Sequence, residues 1–210
     1  MHASAARLVT TLVALQLCPD VLGGPQHQPF VLNADWRLRL TQVQNFRWEK
    51  CGPSSLPAVI KSMSIEPDPI PIPGDVTCSV SAATTMALTP PLQAVVTLEK
   101  KLGDIWIKLP CVDDIGSCTY KDICTDLDRL IPPGQACPEP LQSFDIPCHC
   151  PFKAGTYNLP TSQFYIPNMD LPSFLTNGNY QLKVELSIGD QDLACYVFYF
   201  SLHAESAWFW

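Results

Sequence analysis

Charge is scarce in this chain. Lys and Arg number 13 and Asp and Glu 20, so charged residues make up 16% of 210, against 47% apolar. A net charge of −7 without a basic cluster excludes nucleic acid as a partner. The chain has no N-x-Ser/Thr triplet, which excludes an N-linked glycan on these residues. It has no G-x-S-x-G elbow, H-E-x-x-H helix or P-loop, the motifs that carry much hydrolase, metalloprotease and nucleotide chemistry. No apolar run reaches the roughly 20 residues of a membrane-spanning helix. No cofactor-binding motif is present either, and no internal repeat.

Cysteine, by contrast, is abundant. Of ten cysteines, Cys111, Cys118, Cys124, Cys137, Cys148 and Cys150 form a dense block, and Cys18, Cys51, Cys78 and Cys195 lie outside it. Residues 1–24 read as a secretory leader: Arg7 supplies a positive charge, 8–18 is mostly apolar, and Val21-Leu22-Gly23-Gly24 offers small residues for cleavage. A cysteine-dense exported chain reads as a disulfide framework made in an oxidising compartment. Loss of Cys18 with the leader leaves an odd number. The rest is one domain in size, with 25–45 as a pro-segment or flexible N-terminus, 46–203 as the domain and 204–210 as a C-terminal tail ending Trp208-Phe209-Trp210.

Prolines number 21, and Pro67, Pro69, Pro71 and Pro73 alternate. Such stretches cannot be helix interiors or central strands, because proline lacks the amide donor; they read as connections and sheet edges. Between them lie alternating apolar runs at 58–65, 76–82, 92–100, 104–109, 181–188 and 194–202. Period-two alternation with one polar face predicts antiparallel strands over an apolar interior. Gly189-Asp190 and residues 101–104 supply hairpin connections. Only 120–131 has helical spacing, stopped by Pro132. The fold class is mainly β, with one short helix inside the disulfide block.

A run of ordered segments narrows this. Phe46-Arg47-Trp48-Glu49-Lys50-Cys51, Ile65-Glu66-Pro67-Asp68-Pro69-Ile70, Trp106-Ile107-Lys108-Leu109-Pro110-Cys111 and Pro147-Cys148-His149-Cys150-Pro151-Phe152-Lys153 together resemble the ganglioside activator family. Cys137-Pro138-Glu139-Pro140-Leu141 and Leu171-Pro172-Ser173-Phe174-Leu175 continue the match, which covers nearly the whole domain. The resemblance implies an antiparallel β-cup around an apolar, lipid-binding cavity, and a non-enzymatic sphingolipid activator. Its implied partners are ganglioside and other membrane lipids, an acidic membrane surface and lysosomal β-hexosaminidase A. It also implies the pairs Cys51–Cys195, Cys111–Cys118, Cys124–Cys150 and Cys137–Cys148, which leaves Cys78 as a free thiol in a strand. Lysosomal residence is implied likewise, with secretion as the alternative because an N-glycan sorting signal is absent.

Within a one-sheet cup, the expected cavity lining is Val96, Leu98, Ile105, Ile107, Val184, Leu186, Phe198 and Phe200. The competing reading is an ordinary packed core, and periodicity does not separate the two. Two proline-punctuated loops carry apolar side chains suited to membrane contact: Met86 and Leu88 in one, Met169, Leu171, Phe174 and Leu175 in the other. Phe174 stands where the family has tryptophan, keeping an apolar group but losing the indole N–H. An acidic isoelectric point near 4.9 means that repulsion from anionic lipid weakens in an acidic compartment. Other chemistry is poorly supported. Cys137, Cys148, His149 and Cys150 could bind zinc, but export favours disulfides. His149 with Asp145 could act as a general base, though no spacing demands it. A lipid carrier without a hydrolase partner and a secreted interaction protein with a filled core remain as alternatives.

Overall fold

The computed structural model describes residues 45–168, 171, 175 and 177–204. The leader, most of the 25–45 segment, Met169, Phe174 and the tail from 205 onward lie outside the described residues.

The strands are β1 (Arg47–Lys50), β2 (Ala58–Glu66), β3 (Ile70–Ile72), β4 (Gly74–Thr84), β5 (Gln93–Leu102), β6 (Ile105–Lys108), β7 (Thr119–Tyr120), β8 (Gly155–Ile166), β9 (Gly178–Ile188) and β10 (Gln191–Ala204). Among the described residues one α-helix, α1 (Ile123–Leu130), and a short 3-10 turn (Gln142–Phe144) lie between β7 and β8. The alternating runs therefore form the strands their periodicity predicts, and α1 falls inside 120–131.

The cup is made of two sheets, not one. A wide sheet runs β1-β10-β9-β5-β6, with β3 on β10 and β7 on β5, and a narrow sheet runs β2-β4-β8. All pairings are antiparallel except β3 on β10, which is parallel. The polypeptide switches sheets at the proline-rich stretch, where short β3 can add to a sheet without donating at every residue. Strand β8 carries Pro160 in its middle. It is tolerated because β8 is an edge strand and its pairing with β4 slips at a bulge between Cys78 and Val80, opposite that proline. Gly189 (φ 57°) and Gly103 (φ 61°) hold the left-handed conformation of the two hairpin turns, where a β-carbon would be strained.

Register builds the inward face of the wide sheet in rows. Ala94, Leu186 and Ala194 lie abreast, then Val96, Val184 and Tyr196, then Leu98, Leu182 and Phe198, then Lys100, Tyr180 and Phe200. Apolar packing closes both ends of this face. Leu98, Leu109, Leu175 and Tyr180 are buried together at one end, with Tyr180 0% exposed and its ring stacked on Phe200 at 5.7 Å. Burial pushes the Tyr180 hydroxyl up to about 12. Leu92, Cys124 and Leu193 fill the other end. There α1 is seated by its N-cap Asp122, whose carboxylate accepts from the amides of Leu92 at 3.0 Å and Cys124 at 3.1 Å. The Leu92 amide leads the groups that hold this carboxyl below its ordinary range.

The cysteines pair Cys51–Cys195, Cys111–Cys118, Cys124–Cys150 and Cys137–Cys148, as the resemblance implies. Cys124–Cys150 ties α1 to the segment leading into β8. Cys78 is a free, half-buried thiol on β4 between Ile65 and Ser162, and burial raises its pKa.

Candidate lipid-binding site

Between the sheets lies an apolar cavity of about 300 Å³. The wide sheet contributes Val184 and Leu186 from β9 and Ala194, Tyr196 and Phe198 from β10. Residues 58–60 and 82–84 form the opposite wall, with Tyr157. Leu88 and Phe152 close one side, joined by a two-way backbone bridge of 2.8 and 3.0 Å. The space exists because Ala58, Ala82, Ala83 and Ala194 stop at the β-carbon, so the aromatic rings facing them have nothing to interdigitate with.

Every hydroxyl on this wall is already engaged. Tyr196 Oη accepts from the Ile60 amide at 2.8 Å, across the gap between the sheets. Ile60 lies on β2, an edge strand, next to the bulge between Ile60 and Ser62 in its pairing with β4. Thr84 Oγ1 donates to the Met86 carbonyl at 2.7 Å, and Tyr157 Oη to the Lys153 carbonyl at 2.6 Å. Trp48 makes a second tie between sheets, donating from Nε1 to the Met63 carbonyl at 3.2 Å, and meets the Tyr196 ring edge-on at 5.8 Å. The cavity thus presents mainly hydrocarbon, with each of its few hydroxyls tied to backbone at one of its hydrogen-bonding positions.

Of the expected lining, Val184, Leu186 and Phe198 reach the cavity. Leu98 and Phe200 do not; they belong to the packed end around Tyr180. Val96 is half-buried in the inward row beside Val184 but is not part of the cavity wall. Ile105 and Ile107 depart furthest, at 62% and 39% exposed. They point to the inward side, opposite Leu102 and Lys100, but the wide sheet outflanks the narrow one and leaves this hairpin uncovered. Alternation sets which face a residue occupies, not whether another layer lies over it.

Four of the six loop residues expected at a membrane are among the described residues. Leu175 is 7% exposed and sits in the packed core, with Leu171 against it, and Met86 and Leu88 pack on the Leu92 cluster. Leu175 is buried, and Met86, Leu88 and Leu171 are half-buried. Among the exposed large apolar side chains, Leu102, Ile105 and Ile107 gather on the β5–β6 hairpin, with Lys100, Lys101 and Lys108 nearby and Lys101 near the Trp106 ring at 5.9 Å, while Val112, Leu130, Phe144 and Tyr165 are exposed elsewhere. Burial lowers the pKa of Lys100.

Alanine was the missed signal. Ala58 and Ala82-Ala83 interrupt runs otherwise suited to larger β-formers, and small residues in strands mark close approach or open space. The general-base idea also changes: His149 Nδ1 lies 2.9 Å from Asp128 on α1, not against Asp145. Its Nε2 is buried without a partner among the described residues. A further cleft beside Phe46, Met63 and Thr77 includes Asp68, whose carboxyl is raised by burial despite accepting from the Ser201 amide at 2.9 Å.

Comparison with known proteins accounts for this architecture. The ML-domain family model matches residues 45–202. The ganglioside GM2 activator of Mus musculus is 50% identical over 157 residues, covering 75% of this chain and 81% of that protein. That of Macaca fascicularis is 51% identical over 156 residues, covering 74% and 82%. Among solved structures, a Niemann-Pick type C2 protein from the Japanese carpenter ant matches with TM-score 0.37 and 16% identity, over 74% of this chain and 98% of its own. Chicken MD-1 complexed with lipid IVa matches with TM-score 0.35 and 14% identity, over 78% and 94%. By its sequence, from the first strand to the last, the chain belongs to the ML-domain family and groups there with the ganglioside GM2 activators.

Proposed function

We propose that the protein is a non-enzymatic lipid-binding activator of the lysosome that draws ganglioside partly out of a membrane and presents its sugar to β-hexosaminidase A for removal of terminal N-acetylgalactosamine. The observation that carries the reading is the apolar cavity between the sheets, on a chain half identical to ganglioside GM2 activators. Hydrocarbon leaving a bilayer loses about 0.8 kcal/mol per methylene unless apolar protein replaces the lipid around it. The cavity supplies that replacement.

Membrane contact falls to the β5–β6 hairpin. Its exposed Leu102, Ile105 and Ile107 are suited to the acyl boundary, while Lys100, Lys101 and Lys108 are suited to anionic headgroups. An acidic compartment favours this contact, since protonation of carboxylates reduces the net charge of −7 and leaves the lysines charged.

The test is hydrolysis of vesicle-bound ganglioside by β-hexosaminidase A at acid pH, with and without the protein, alongside transfer of fluorescent ganglioside between vesicles. The reading expects both to rise. Transfer without stimulation makes the protein a lipid carrier with no hydrolase partner, and absence of both sinks the lipid reading. Ile105→Asp should weaken vesicle binding about tenfold, the worth of one large aliphatic group leaving the bilayer. An unchanged vesicle affinity would remove the hairpin from the account.

A further inference from the structure

Strand β6 ends the wide sheet, and no described strand pairs with its far side. The turn before it fixes which of its backbone groups are used. Leu102 and Ile105 stand opposite each other at the close of the hairpin, and Leu109 donates its amide to the Leu98 carbonyl at 2.8 Å. Backbone groups alternate sides along a strand, so Ile105, Ile107 and Leu109 direct theirs toward β5. Trp106 and Lys108 direct theirs to the open edge. The side chains alternate between faces as well. Ile105 and Ile107 point inward at 62% and 39% exposed, while Trp106 lies on the outer face, its ring edge-on to Tyr199 at 6.3 Å. Asp104 and Lys108 flank this run, both exposed.

The segment Asp104-Ile105-Trp106-Ile107-Lys108 is complementary to itself when read antiparallel about Trp106. Ile105 then meets Ile107 of the other copy, twice over, on the inward side. Asp104 meets Lys108 at both ends, and the two Trp106 residues exchange N–H to C=O hydrogen bonds. A lysine on an edge strand ordinarily discourages pairing. In this register each lysine faces a carboxylate instead.

We propose that the free edge of β6 pairs with the same edge of a second copy, antiparallel and two-fold about Trp106, so that two wide sheets run on as one. The contact is isologous and closes at two copies. Its axis stands perpendicular to the sheet, so both copies turn Ile105 and Ile107 to the same side and form one apolar strip. The paired segment is short, which makes the association weak and dependent on concentration. It requires no lipid and stands apart from the activator reading.

The experiment is sedimentation equilibrium of the full, oxidised chain without lipid, on a Cys78→Ser background so that the free thiol cannot link copies. The expected result is a reversible monomer–dimer equilibrium. Asp104→Lys sets lysine against lysine at both ends, and Lys108→Asp sets carboxylate against carboxylate. Each alone should weaken self-association about tenfold, the effect of turning two cross-strand ion pairs into two like-charge pairs. An equal mixture of the two variants brings opposite charges together at both ends. It should recover dimer to within about threefold of the parent chain, a recovery that misfolded variants could not give. A chain that stays monomeric at the highest concentration reached overturns the proposal. So does a dimer indifferent to both reversals, or a mixture that associates no better than either variant alone.

Discussion

Replacing Tyr196 with Phe removes one oxygen and tests how the two sheets are held at the cavity. Tyr196 is 5% exposed, and its hydroxyl accepts from the Ile60 amide at 2.8 Å. Ile60 lies on the edge strand β2, next to its bulge. The phenylalanine ring keeps the packing against Trp48 and Phe198, so no cavity term enters. What remains is a half-buried donor left unsatisfied, which costs about 1–2 kcal/mol. For a domain of this size each kcal/mol shifts Tm by roughly 2–4 °C. Urea denaturation at neutral pH should show a lower midpoint with an unchanged m-value, since the surface exposed on unfolding stays the same. Short-chain alkanoic acid affinity should hold or rise slightly, because the wall loses only a polar atom. A midpoint within error of the unmodified protein would mean that water serves the Ile60 amide equally well. The inter-sheet bond would then not define the cavity's width.

Asp68→Asn probes a carboxyl that burial raises against the opposing pull of its Ser201 hydrogen bonds. A raised pKa favours the proton-bound folded state, so this group's stabilising contribution is full below the unfolded value of about 3.9 and lost as pH rises through the folded one. The Asn variant should therefore compare better with the unmodified protein at pH 7 than at pH 4 in thermal melts, and a constant difference across that range would refute the assignment. Gly116→Ala should destabilise by about 3 kcal/mol, because φ is +111° and a β-carbon would strike the Pro110 carbonyl; a near-native melting temperature would contradict that geometry. Removing Cys51–Cys195 by double Ser substitution opens a loop spanning 144 positions and should lower stability by about 4–5 kcal/mol on chain-entropy grounds. Equal denaturant midpoints before and after would show that the open chain is already compact.

Much of this molecule is legible in one dimension. Alternation at 181–188 and 194–202 locates β9 and β10 and assigns their faces, because the side-chain period of a strand is a local property. Gly103 and Gly189 mark their hairpins, since positive φ is a demand of single residues. Pro132 stops the only α-helix among the described residues, and the density of cysteine marks a cross-linked fold. Which cysteines join was beyond spacing, as was β8, whose proline is acceptable only because that strand is an edge with a bulge. Layering was hidden as well. Ile105 and Phe198 share the inward side of one sheet, yet one lies in solvent and the other lines the cavity, because coverage depends on how many strands the opposing sheet has. So does emptiness: Leu98 and Val184 look alike in sequence, but only Val184 faces a wall of alanines contributed from residues a hundred positions away. The sequence by itself determined six of the ten strands, β2, β4, β5, β6, β9 and β10, with their faces, two hairpin turns and the family; tertiary structure alone decided where the interior is filled and where it stays open, since a void is a property of two surfaces meeting and neither strand encodes it alone.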